Sequence, residues 1–159
     1  MGDAAYFPLM LGAALVAFGH FLAFFALTAA SVLSLALISE NMSAEAARRI
    51  RRADRVAAVS AVLLLVFGTL RVMHYEKGAA YYADNLYFQI KIALFVIAAL
   101  ISIYPTVQFV RWGAALKRGE APVLSALQVK RLKSAIHWEL VLIAGILLCA
   151  SLMARGFGT

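Results

Sequence analysis

The stretch AAYFPLMLGAALVAFGHFLAFFALTAASVLSLALIS, residues 4–39, contains no Asp, Glu, Lys or Arg. A helix needs only about 20 apolar residues to cross the hydrocarbon core, so an uncharged run of this length reads as a membrane span. One histidine, His20, sits in its middle. An imidazole inside a span costs free energy unless it has a partner or a task, which makes His20 the first candidate functional residue.

Three more spans follow. They cover about residues 56–75, 86–111 and 129–154, after a first span of about 7–39. Pro8 is acceptable in a first helical turn. Residues 44–55 form a basic stretch that continues the second helix into water, with Ser43 as its cap. Pro105 lies inside the third span, where a kink is expected. Ser102, Tyr104 and Thr106 surround it and could satisfy the carbonyl it frees. The fourth stops at Arg155-Gly156. The loops are short and no repeat is present, so residues 1–159 read as one all-α transmembrane domain, an antiparallel four-helix bundle.

Composition agrees. Hydrophobic residues make up 64% of the chain and charged residues only 14%, too few to solvate a soluble domain of this size. The net charge is +7, but 11 of the 15 basic residues fall in two loops or their flanks. That distribution is a topology signal with lipid headgroup contact and argues against nucleic acid. The positive-inside rule then places both termini outside and the basic loops in the cytoplasm of a bacterium, in its inner membrane. The N-terminal Met-Gly-Asp lacks the basic region of a cleavable leader. Cys149 has neither a disulfide partner nor metal-ligand spacing, and reads as a small core or lipid-facing residue. Gly12, Gly19, Ala23, Ala26 and Ala30 are spaced to let helices approach closely.

The ionisable residues inside the spans fall at two levels. Counting from the basic-loop ends, His20 is 20 residues from Glu40 and Lys91 20 from Arg111, each about 30 Å up. Arg71 is 16 residues from Arg55, about 24 Å up, and His74 lies one turn beyond. His20, Arg71, His74 and Lys91 are therefore expected to cluster near the outer face, under the loop from Glu76 to Asn85. Several cations at one level, with only Glu76 and Asp84 nearby, imply an anionic ligand: a carboxylate, a phosphate or a porphyrin propionate. Lower in the fourth helix, Glu139 is expected to pair with Arg55 or Arg111. No phosphate loop, nucleophile elbow or zinc signature is present.

With GHFLAFFAL (19–27), RADR (52–55), FGTLRV (67–72), KGAAYYADNLYFQIKIALF (77–95), YPT (104–106) and MARGFG (153–158) in view, the chain resembles a family of small bacterial membrane proteins with a domain of unknown function. More distantly, its layout is similar to the HemJ-type protoporphyrinogen oxidases and to the CopD-like copper-resistance proteins. The HemJ likeness places His20 and Lys91 where that family has a histidine serving a b-type haem and a lysine after an aromatic. Arg131 and Glu139 resemble its basic residue and carboxylate in helix four. This chain lacks that family's later proline, having Leu140-Val141-Leu142, and offers no histidine between Ile103 and Gln108. The expectation is a porphyrin-binding redox protein carrying haem b. Arg71 and Lys91 are its candidate catalytic residues, His20 and His74 its cofactor-binding ones, and His20 its metal ligand. The alternatives are a transporter for a small anionic or metal solute, and an accessory subunit of a membrane complex. A homo-oligomer fits any of them.

Overall fold

The computed structural model of the chain describes residues 3–158, and side chains from residue 7 onward; Met1 and Gly2 of the N-terminal reading lie outside the described residues. Helix α1 covers Asp3–Leu37 and α2 covers Ala44–Leu70. A π-helical turn at Arg71–Tyr75 ends α2, and a short helix, α3, spans Ala79–Ala83. Helix α4 runs Leu86–Arg111, α5 Gly113–Lys117 and α6 Ala126–Ala154. The described residues contain no strand. Among the described residues, four helices are long and apolar enough to cross a membrane. Their outward faces carry Phe7, Phe18, Phe25, Val59, Leu100 and Leu148, all exposed, as lipid contact requires.

The ends follow local chemistry. Ser43 caps α2, accepting from the Ala46 amide at 3.1 Å, so the arginine-rich stretch is helical as expected. Ser125 and Gln128 form a reciprocal capping box on α6, which starts three residues before the expected 129. Helix α1 begins a turn earlier than expected, so Pro8 lies inside it rather than in its first turn. Helix α4 continues through Pro105 to Arg111. The flanking hydroxyls do other work than expected: Ser102 donates to the Ala99 carbonyl at 2.8 Å and Thr106 to Asp54 at 2.6 Å.

α1 packs chiefly on α2 and α4 on α6. These two hairpins meet through α1 against α6 and α2 against α4. The main core sits at the basic-loop end, where Ile38, Met42, Ala47, Ile50, Phe109, Trp112, Leu116, Leu124, Leu132 and Ile136 are buried together. Here α2 carries its arginines, so water drives apolar burial. Higher up, lipid is as apolar as leucine, and contact relies on close packing. Gly12 admits the Tyr75 phenol: a Cβ there would stand 3.1 Å from its hydroxyl. At Gly19 a Cβ would stand 2.7 Å from the Phe67 ring. Gly145 admits Leu94 in the second hairpin, where a Cβ would lie 3.2 Å from its Cδ1. The small-residue stripe of α1 is thus a helix contact, with Ala23 and Ala30 buried.

Candidate functional site

The end of the bundle that bears both termini is built around Asn85, which is fully buried. Its carboxamide oxygen caps α4 by accepting from the Phe88 amide at 3.1 Å, and its nitrogen donates to the Phe157 carbonyl at 3.0 Å. The Leu86 amide donates to the Gly158 carbonyl at 3.2 Å. Gly158 has φ +90°, and a Cβ there would meet Tyr87 at 2.7 Å. The residues after α6 are thereby tied to the start of α4.

Beside this tie lie three of the four residues expected to cluster. His20 projects from α1 onto Gly68 of α2, where a Cβ would stand 3.3 Å from its Cε1. Its Nδ1 is buried and makes no hydrogen bond of ordinary geometry; the Leu64 carbonyl faces the ring without closing one. Arg71 opens the π-helical turn. Its guanidinium carbon stands 5.5 Å from the Phe21 ring centroid, beside His20. Its Nη2 and Nε donate to Glu76 Oε1 at 2.5 and 3.1 Å. The Lys91 ammonium lies 5.0 Å from the Phe88 ring centroid. Charges on Arg71 and Lys91 both reach His20, and Arg71 reaches Lys91. Glu76 compensates Arg71, as the sequence suggests, but Lys91 has no ion-pair partner among the described residues.

His74 is not brought to this group. It is exposed on the π-helical turn, and its ring contact is with Tyr75. The wider turn breaks the ordinary helical spacing that would set it above Arg71. Of the two histidines read as cofactor ligands, only His20 therefore lies with Arg71 and Lys91. A second layer closes over Arg71. The Tyr82 hydroxyl donates to Glu76 Oε2 at 3.1 Å. Burial first, and then the Glu76 carboxylate, push the Tyr82 phenol up to about 12.

At the other end of the bundle the sequence reading needs correction. Glu139 is buried and pairs with neither Arg55 nor Arg111. The Ser31 hydroxyl donates to its Oε1 at 3.3 Å, and the nearby charge is the carboxylate of Asp54. Arg55 and Arg111 are both exposed, whereas Glu139 follows Leu132 and Ile136 onto the buried stripe of α6. Asp54, which the sequence reading did not single out from the basic stretch 44–55, falls four residues after buried Ile50, and that spacing is the signal for it. His137 is exposed, in ring contact with Trp138, and Cys149 is buried.

Among the described residues two cavities bear on these groups. One, of about 420 Å³, is a groove between α1 and α2 lined by Ala26, Ala29, Ala30, Leu33 and the arginines Arg49 and Arg52, among others. The other, about 20 Å³, lies between the hairpins beside Asp54 and Glu139. Neither is lined by His20.

No curated protein and no solved structure matches this chain. Residues 12–158, nearly the whole chain, match the family described as "Predicted membrane protein (DUF2214)", and this four-helix membrane protein belongs to it.

Proposed function

We propose that this protein binds a small anionic ligand at the end of the bundle that bears its termini. Arg71 and Lys91 would attract the ligand, and His20 would serve as its proton-carrying or metal-ligating neighbour. We place it in a bacterial cytoplasmic membrane with that end outside, on the distribution of its basic residues. The observation that carries the reading is the charge balance. Two basic side chains and an imidazole lie together, and among the described residues Glu76, bonded to Arg71, is the one carboxylate bonded to any of them. Lys91 is left to an aromatic face, a weak substitute for a counter-anion inside a bundle.

A second reading rests on His20 itself. Its buried Nδ1 lacks a hydrogen bond, as a ring held for another purpose would. In that reading the anion is a porphyrin carboxylate and the cofactor haem b, which would supply one-electron chemistry when bound. His20 would hold the metal, Lys91 and Arg71 would hold the propionates, and Phe21 and Phe88 would exclude water.

Three probes separate these readings on the purified protein: haemin, metal-free mesoporphyrin and inorganic phosphate. Anion binding requires that at least one probe bind and that Lys91→Gln weaken it tenfold or more. Haem binding requires in addition a shifted Soret band that disappears in His20→Ala while mesoporphyrin binding persists. Failure of all three to bind refutes the anion site.

A further inference from the structure

The geometry points to a second site, for one small hard cation, either a sodium ion or a hydron, in the cavity between the hairpins at the basic-loop end. The cavity measures about 20 Å³, room for one water-sized occupant. All four long helices line it: α1 gives Ser31 and Ser34, α2 Asp54, α4 Ser102 and α6 Glu139.

The charges do not close without an occupant. Glu139 is only 8% exposed, and its one hydrogen bond comes from the Ser31 hydroxyl, to Oε1. Its other oxygen receives none among the described residues. Asp54 accepts from Thr106 at 2.6 Å, and neither carboxylate is in an ion pair among the described residues. The charged groups that face the pair are few. Helices α1 and α4 present hydroxyls alone, α6 presents Glu139, and α2 presents Asp54 with Arg51, whose charge reaches Asp54. The buried Glu139 carboxylate and the half-buried Asp54 carboxylate thus line one cavity, and the one arginine charge that reaches them, that of Arg51, acts on Asp54. An ion buried without a partner costs several kcal/mol, so a cation must join Glu139. Every lining donor is oxygen, which suits a hard cation and not a soft metal. His20 is remote from this cavity, so the site is independent of the anion reading.

The test uses purified full-length protein in detergent. Its thermal midpoint is followed against sodium, replacing choline at constant ionic strength, and separately against pH. The infrared carbonyl stretch of a protonated carboxylic acid is recorded in parallel. A sodium site raises the midpoint roughly 3 °C for each tenfold step in sodium near saturation, and Glu139→Gln abolishes the rise. A hydron site shows no sodium effect but a protonated-acid band at neutral pH that Glu139→Gln removes. If Glu139→Gln does not fold, Asp54→Asn serves, and must diminish whichever response the native protein gives. A native protein with neither a sodium response nor the infrared band overturns the proposal, as does a response that both variants retain.

Discussion

The two ends of this bundle solve opposite problems. At the basic-loop end, an apolar core surrounds buried Ile50 and Leu132 and adjoins a cavity lined by two carboxylates. At the end bearing the termini, glycines meet aromatic rings, and cations gather beneath a polar cap of Glu76 and Tyr82. The difference teaches where each force operates. Apolar burial gains most where the helices extend past the membrane into water; within lipid, shape and hydrogen bonds must hold the contact. Carboxylates lie inside one end and basic side chains inside the other, the contrast on which the two proposed sites rest.

The strongest challenge to this contrast is Ile50→Ala. Ile50 is fully buried, and its truncation is expected to cost about 2–5 kcal/mol, measured by reversible unfolding in mixed detergent. A cost no larger than that of exposed Val59→Ala would mean the loop-end core does not carry the fold. Gly19→Ala comes next, at about 1–3 kcal/mol, because its methyl would overlap the Phe67 ring at 2.7 Å. Phe67→Leu in the same chain should recover part of the loss, and no recovery would show that the contact is not the cause. Asn85→Ala should cost about 2 kcal/mol, since it removes a helix cap and leaves the Phe157 carbonyl unpaired. Rapid amide exchange at Leu86 is its signature, and an unchanged exchange rate would contradict the tie.

The charge contrast predicts a double dissociation. Lys91→Gln should weaken anion binding at least tenfold, about 1.4 kcal/mol, and leave the cation response of the other end intact. Glu139→Gln should do the reverse. One substitution that abolished both responses would merge the two sites into one. The smallest effect concerns Tyr82. Its folded phenol titrates near 12 against an ordinary value of 10, so the protonated form is favoured by folding. That contribution is complete below pH 10 and is lost as pH rises through about 12. Tyrosinate absorbance should therefore show a late-titrating component from Tyr82, which Glu76→Gln shifts back toward the ordinary range.

Much of the architecture was legible in the residues. The uncharged run from Ala4 to Ser39 and its three successors required spans, and Ser43 required a cap, because both depend on local composition. The depths of His20, Arg71 and Lys91 followed from helix rise alone. Periodicity could have added Asp54 to Glu139, since each continues a stripe of buried residues. His74 was misplaced because nothing in Arg71–Tyr75 announces a π-helical turn, whose width depends on what packs against it.

The sequence by itself determined the class of protein, the number of its spans and the level of each ionisable group, since these are sums over one helix at a time. Only the tertiary structure decided which groups meet: Glu139 with Ser31 and Asp54 rather than an arginine, His20 against Gly68, and Arg71 with Glu76. The physical reason is that a partner across a helix interface is chosen by rotation and register, and those are fixed by close packing between helices.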